Sequence, residues 1–157
     1  MISIDRWTDN AKLILQSMLQ SAQSAGHSEL VPSHLLQALL NEGMARAILQ
    51  KEGADPDRLA GELSVALGRL PRVEGATQQP ITSSALAAVF SAAQNRASKS
   101  GHQYVTAAHL LWATFDKPDK PSATLSLRSE LTPVVFATVL MKCSTAKEPV
   151  KRVPKTA

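Results

Sequence analysis

The chain of 157 residues has few of the residue types whose abundance marks particular classes of protein. Cys143 is its single cysteine, so no internal disulfide can form, and a reducing compartment fits this usage. No apolar run approaches the roughly 18 residues that a membrane-spanning helix needs. The first ten residues, MISIDRWTDN, contain no basic stretch followed by an apolar one. We therefore expect no signal peptide and no membrane contact, and a cytoplasmic protein.

Aromatic residues are also scarce, at 4% of the chain, whereas apolar residues as a whole make up 44%. Ala, Leu and Val must therefore fill the core, and such side chains suit closely packed short helices better than a sandwich of strands. The length is that of one domain with an independent core. Composition thus predicts a single all-α domain.

Motifs for catalysis and nucleotide binding are absent too. The sequence contains no G-x-x-x-x-G-K-[ST] phosphate loop, and no nucleophilic triad is evident. Nothing in it requires two carboxylates to lie at the separation that a paired-carboxylate mechanism needs. A zinc site needs three or four converging ligands, and no acids cluster near the four histidines, His27, His34, His102 and His109. We expect no enzymatic activity, no metal and no cofactor, with the histidines packing or bridging turns.

An internal repeat is the most informative feature that is present. Residues 21–40 read SAQSAGHSELVPSHLLQALL, and residues 96–115, which lie 75 positions later, read RASKSGHQYVTAAHLLWATF. Both copies place a small-residue helix before Gly-His, a short turn after it, and His-Leu-Leu near the start of a second helix. Asp55-Pro56 and Thr132-Pro133 correspond as later helix starts. Such self-similarity indicates one supersecondary unit used twice.

Helical periodicity extends this prediction to about four helices in each unit. A first helix ends at Gly26, with an inward face at spacings of three and four formed by Ile4, Trp7, Ala11, Ile14, Leu15, Met18, Ala22 and Ala25. Pro32 opens a second helix, and Asp55 caps a fourth. We predict repeat one at residues 5–67, a connector at 68–82 and repeat two at 83–143, within a domain of residues 1–144.

These residues and motifs resemble the N-terminal repeat domain of the Clp/Hsp100 chaperones. The resemblance covers roughly residues 5–140 and includes both His-Leu-Leu helix starts, the Gly-Ala-Asp-Pro turn at residues 53–56, and LPRVEG at residues 70–75. The LPRVEG string is most similar to the ClpB-like branch. The resemblance implies two pseudo-symmetric four-helix units packed into one compact eight-helix domain.

The resemblance also implies a non-catalytic, protein-binding role in protein quality control or Clp-dependent unfolding. The implied partners are unfolded or aggregated polypeptide, an adaptor protein or a Clp-family AAA+ ATPase. Family members continue into ATPase modules that this chain lacks. The chain is either a stand-alone domain or the N-terminal piece of a longer protein, and its last residues, VKRVPKTA, favour the former because they do not resemble the start of an ATPase module.

In the ClpB-like family, a surface near an N-terminal threonine and the turn of the second repeat contacts substrate. The threonine corresponds to Thr8, and the family's acidic positions correspond to His102 and Ala108, so the negative charge of that surface is lost. Trp7 and Tyr104 are further candidates for protein binding because aromatic residues dominate interface energetics. The periodicity places Trp7 on an inward face, which favours a core role.

The excess of positive charge is concentrated near the C-terminus. Lys147, Lys151, Arg152 and Lys155 are opposed there only by Glu148, and we predict a flexible basic tail at residues 145–157. Such a tail is a solvated segment or a contact for an acidic partner. The alternative function is that of a small basic nucleic-acid-associated helical protein, but the other basic residues are scattered among acids. We therefore expect protein binding by a monomer.

Overall fold

The computed structural model describes residues 5–51, 53, 55–75 and 79–116. Within these residues, helices and short strands follow in the order α1 (Asp9–Ser24), β1 (Glu29–Leu30), α2 (Pro32–Leu40), α3 (Gly43–Lys51), α4 (Pro56–Gly68), β2 (Ile81–Thr82), α5 (Ser84–Lys99) and α6 (Ala107–Asp116). The predicted helix at Thr132-Pro133, Cys143 and the basic tail at residues 145–157 lie outside the described residues. No described helix is long and apolar enough to cross a bilayer.

The first helix of each half begins at a hydroxyl N-cap. The Thr8 hydroxyl accepts a hydrogen bond from the Ala11 N–H at 3.2 Å, and the Ser83 hydroxyl accepts one from the Leu86 N–H at 3.1 Å. These bonds satisfy backbone donors that the helix itself leaves unpaired. Trp7 lies before the Thr8 cap, so the prediction that it belongs to the first helix was wrong.

Glycines end the same two helices. Gly26 and Gly101, which follow the C-cap residues of α1 and α5, have φ values of 73° and 74°. A side chain in this left-handed region is strained, so glycine is the residue that fits. The helix ends predicted at both Gly-His pairs are confirmed.

The prediction of an all-α fold needs one correction, because the structure contains a small parallel sheet. Glu29 pairs with Ile81 and Leu30 with Thr82, joining β1 to β2. Strands of two residues carry no alternation that sequence analysis can detect. The end of the predicted connector therefore pairs with the turn that precedes α2. The fold is mainly helical, with this sheet between its two halves.

The second half forms a matching contact with the first. Trp7 and Val105 form a parallel bridge, and the Thr8 N–H donates to the Val105 carbonyl at 3.0 Å. The Ser83 N–H donates to the Leu30 carbonyl, also at 3.0 Å. Thr8 and Ser83 occupy equivalent positions in the repeat, as do Leu30 and Val105. Each half thus contributes the segment before its first helix to the turn of the other half.

The core lies around α2 and α6, the helices that carry His-Leu-Leu in their first turns. Their buried side chains include Leu35, Leu36, Leu39, Leu40, Leu110, Leu111 and Phe115. Helix α2 packs against α1, α4 and α6, and α6 also packs against α5. The core is mainly leucine and alanine, as the composition predicts, with Trp7 and Phe90 as large aromatic members.

Candidate functional site

The four histidines form two hydrogen-bonded pairs, one in each half. His27 Nδ1 lies 2.8 Å from His34 Nε2, and His102 Nδ1 lies 2.9 Å from His109 Nε2. In each pair the first ring follows the glycine that ends a helix, and the second occupies the third position of the next helix. The pairs therefore hold each turn onto the helix after it.

The hydrogen bonds assign the proton positions in each pair. The Val31 N–H donates to His34 Nδ1 at 3.1 Å, which makes that nitrogen an acceptor. The neutral His34 ring then carries its proton on Nε2 and donates it to His27 Nδ1, so His27 carries its own proton on Nε2. The Thr106 N–H donates to His109 Nδ1 at 3.0 Å, which gives the second pair the same order.

The surroundings of the pairs favour neutral rings. Burial lowers the pKa of His109 to about 4, assisted by neighbouring His102 and Arg96. Burial also lowers the pKa of His27, assisted by the positive charge of Arg72, while the Leu67 carbonyl acts in the opposite direction. If His34 or His109 were protonated, its Nδ1 would carry a hydrogen and could no longer accept the hydrogen bond from the Val31 or Thr106 N–H. The pairs are thus structural hydrogen bonds at neutral pH, in agreement with the predicted bridging role.

The described part of the chain brings no three His, Cys, Asp or Glu side chains together in a way that could hold a metal ion. Each histidine pair supplies two nitrogens already bonded to each other, whereas a structural zinc site needs four ligands. Neither pair is therefore arranged as a structural zinc site.

A pocket of about 140 Å³ lies beside the first histidine pair. We call it the His27 pocket, and its lining residues are Ser21, Ala25, His27, His34, Gln37, Ser64, Leu67, Gly68 and Arg72. Arg72 reaches it because the connector forms an antiparallel bridge with His27, and the Val73 N–H donates to the Gly26 carbonyl at 2.9 Å. The connector thus brings a positive charge to a neutral histidine pair.

The residues predicted to bind protein lie around the bridge between the two halves. Trp7 pairs with Val105, Thr8 follows it, and His102 and Tyr104 belong to the turn that contains Val105. Ala108 is the second residue of α6. We call Trp7, Thr8, His102, Tyr104 and Ala108 the bridge surface. Sequence reasoning from the two halves separately did not predict this backbone contact.

Exposure divides the bridge surface into two layers. The side chain of Tyr104 is 52% exposed, and Thr8 and His102 are partly exposed. Trp7 and Ala108 are buried, at 2% and 9% exposed, and this burial disfavours a direct contact of either side chain with a partner, which stays a prediction. Trp7 packs edge-on against Phe90, with ring centroids 5.3 Å apart. Its core role, which periodicity favoured, is confirmed, and it supports the loop above it.

Several basic side chains of the described residues are engaged within the molecule. Arg46 pairs with Asp57 at 2.6 Å, and Arg58 pairs with Glu62 at 3.2 Å. The Arg96 guanidinium lies 5.0 Å from the centroid of the Trp112 ring. A helix that enters a nucleic-acid groove presents free basic side chains on one face. These contacts therefore disfavour the nucleic-acid alternative.

Sequence reasoning recognised the symmetry of the histidines but missed their direct pairing. The signal was available, because His27 and His34 are separated by seven positions, as are His102 and His109. A helix end, a turn and the first turn of the next helix fill that interval in both halves. Arg72 was missed for a different reason, since the bridge that brings it to His27 depends on the path of the connector.

The fold and site define a mainly helical domain in which a helix, a Gly-His turn and a second helix occur twice, each time with a hydrogen-bonded histidine pair. The family model for the Clp repeat (R) N-terminal domain matches residues 6–127, and the chain belongs to this family. The chain is 29% identical over 141 residues to the chaperone protein ClpB of Rhizobium meliloti, covering 88% of this chain and 16% of that protein. It is 38% identical over 106 residues to ClpB of Mycobacterium leprae, covering 66% and 12%.

Solved structures share the fold. The Hsp104 N-terminal domain from Candida albicans matches with a TM-score of 0.79 at 16% identity, over 88% of this chain and 91% of that one. A complex of a ClpV N-domain with a VipB peptide matches with a TM-score of 0.65 at 17% identity, over 85% and 89%. The chain thus corresponds to the N-terminal domain of larger chaperones and spans about one sixth or less of the ClpB relatives' length.

Proposed function

We propose that the chain is a non-catalytic protein-binding module that takes a segment of unfolded polypeptide or of an adaptor protein. Membership of the Clp N-terminal family supports this proposal, as does the ClpV N-domain that is known in complex with a VipB peptide. The histidines, which are the groups best suited to acid–base chemistry, are bonded to one another in neutral form. In this proposal the domain delivers bound segments to a Clp-family AAA+ ATPase in cytoplasmic protein quality control.

We further propose that residues 1–144 form an eight-helix double repeat, with repeat one at 5–67, repeat two at 83–143 and a basic tail at 145–157. The equivalent caps at Thr8 and Ser83 support this division, as do the equivalent histidine pairs. The domain acts as a monomer, and its two halves meet at the bridge surface.

The observation that carries the binding proposal is the exposure of Tyr104 on a turn that is hydrogen-bonded to the other half. An aromatic ring at the surface gives a large contact area at little cost in conformational entropy. Its turn is held by two backbone hydrogen bonds, from Thr8 N–H to Val105 O and from Val105 N–H to Arg6 O, at 3.0 and 2.7 Å. Tyr104, Thr8 and His102 are therefore the proposed contacts, and Trp7 and Ala108 support them from below.

Fluorescence anisotropy with a labelled, reduced and carboxymethylated polypeptide, which cannot refold, tests this proposal. Tyr104→Ala should weaken binding about tenfold, the usual effect of truncating an aromatic interface residue. Met44→Ala is the matched control, because Met44 is also a large exposed side chain, at 42%, and lies on α3, which carries none of the bridge-surface residues. Equal effects of both substitutions, or no binding by the unsubstituted chain, would contradict the proposal.

A further inference from the structure

The His27 pocket has a buried floor and an exposed rim. His27, His34 and Leu67 are buried, whereas Ser64, Gly68 and Arg72 are exposed. Its volume of about 140 Å³ is below the roughly 300 Å³ at which pockets for drug-sized ligands begin. The pocket is therefore of a size for one side chain or a small ion and not for a folded element.

A residue that lines this pocket has a buried donor without a well-formed hydrogen bond. Because the Val31 N–H donates to His34 and His34 in turn donates to His27 Nδ1, the proton of the neutral His27 ring lies on Nε2. That nitrogen is buried in a residue only 5% exposed, and it forms no hydrogen bond of normal length and angle among the described residues, although the Leu67 carbonyl is close enough to act on the ring. An unpaired buried donor is destabilising, so a bound acceptor at this point is favoured.

The charge of the pocket is positive. Arg72 is the only charged side chain among its lining residues, which include no Asp or Glu. Within the described ranges, Arg72 also forms no ion pair with a carboxylate. Ser21 and Ser64 add hydroxyl groups, of which the Ser21 hydroxyl donates to Gln37 Oε1 at 3.2 Å. The lining thus combines a fixed N–H donor with an uncompensated guanidinium.

We propose that the His27 pocket binds the carboxylate of an Asp or Glu side chain in a bound polypeptide. One carboxylate oxygen accepts the His27 Nε2–H, and the other pairs with the Arg72 guanidinium, whose planar donors match carboxylate geometry. A cationic side chain would be repelled by Arg72, and an apolar one would leave the buried donor unpaired. This inference rests on the proposed protein-binding function and adds acidic segments to its specificity.

NMR titration with matched peptides tests the inference. Three ten-residue peptides of alternating Ala and Ser differ only in a central Glu, Gln or Lys, and the full chain is observed through the ring protons of His27. The Glu peptide should shift these signals and bind at least about fivefold more tightly than the Gln peptide, because a charged hydrogen bond in a partly desolvated site has this effect. The Lys peptide should leave the signals unchanged.

Two substitutions at one exposed position separate the charge effect from misfolding. Arg72→Gln should reduce binding of the Glu peptide about fivefold, and Arg72→Glu should reverse the preference in favour of the Lys peptide. Arg69→Gln is the matched control, because Arg69 is also exposed and precedes the connector but does not line the pocket. It should change binding less than twofold.

The remaining outcomes overturn the inference in distinguishable ways. Equal binding of the Glu and Gln peptides, or equal effects of Arg69→Gln and Arg72→Gln, would mean that the pocket does not recognise a carboxylate. If sodium acetate or inorganic phosphate shifts His27 as strongly as the Glu peptide at equal concentration, the site is one for free anions. If the carboxymethylated polypeptide binds equally well to Arg72→Gln, the pocket inference fails and the proposed function stands. If that polypeptide binds neither protein, both fail.

Discussion

The indole ring of Trp7 meets the phenyl ring of Phe90 edge-on, at 5.3 Å between centroids and 74° between planes. This contact joins the segment before α1 to the interior of α5, and both residues are buried. The backbone bridge from Trp7 to Val105 lies at the same place. The two halves are thus fastened by side-chain packing and backbone hydrogen bonding together.

A double-mutant cycle at this contact should show coupling. Trp7→Phe removes no hydrogen bond, because the Trp7 indole N–H has no partner among the described residues. We expect Trp7→Phe and Phe90→Leu each to lower the free energy of unfolding by about 1–3 kcal/mol, with a coupling of about 1 kcal/mol. Urea denaturation measures these values. Tyr104→Ala, at an exposed site, should stay within about 0.5 kcal/mol, and strictly additive effects at Trp7 and Phe90 would refute the coupling.

Stability should fall in mild acid because of His109. Its pKa is about 4 in the folded protein, against 6.5 for an ordinary histidine, so the unfolded chain binds a proton first as the pH falls. Stability is therefore full above pH 6.5 and is lost progressively down to about pH 4, by on the order of 2 kcal/mol after allowance for solvent screening. NMR titration of the His109 ring and urea midpoints at pH 7 and 4.5 measure both effects. Titration of His109 near pH 6.5 would contradict this prediction.

The hydroxyl caps of the two equivalent helices, α1 and α5, should contribute equally to the stability of the protein. Thr8→Ala and Ser83→Ala each remove one acceptor for a helix N-terminal N–H, so each should cost about 1 kcal/mol. Thr8→Ser retains the acceptor and is the control for the first site. Chemical denaturation of the three variants provides the comparison. A loss confined to one of the two alanine variants would show that the caps are not equivalent in energy.

Glycine substitutions should have opposite effects at a helix end and within a helix. Gly101 has a φ of 74°, so Gly101→Ala is strained and should lower stability by about 1 kcal/mol or more. Gly61 lies inside α4, where an added Cβ meets nothing within 4 Å, so Gly61→Ala should raise stability by about 0.5–1 kcal/mol. Thermal melting curves distinguish the two signs. A stabilising Gly101→Ala would mean that the backbone can leave this conformation.

Most of the fold that could be predicted from the sequence was predicted from residues that start, cap or end a helix locally. Proline at the start of a helix, side-chain caps and glycine at helix ends depend on neighbouring residues, and the structure agrees at Pro32, Asp55 and Gly26. The burial of Trp7 followed from spacing, although its place before the helix did not. A cap at Thr8 competes with continuation of the helix, and periodicity alone cannot distinguish them.

Contacts between distant segments could not be predicted in the same way. The pairing of Leu30 with Thr82, and of Trp7 with Val105, involves very short stretches without alternation. The meeting of Arg72 with His27 depends on where the connector passes, and no local preference encodes that path. The candidate binding residues came from family resemblance, and their division into exposed and buried members required the folded chain.

The exchange of short segments between the halves bears on whether either half can exist alone. A fragment ending after α4 retains its Leu30 carbonyl but loses the Ser83 N–H that pairs with it, while its Trp7 loses both Val105 and Phe90. Such a fragment presents an unpaired edge and an uncovered indole ring. Two separately expressed halves should therefore be poorly ordered singly and should reconstitute one another on mixing, as complementary fragments do. If two chains exchange these segments with each other, they form a domain-swapped dimer, which high protein concentration favours.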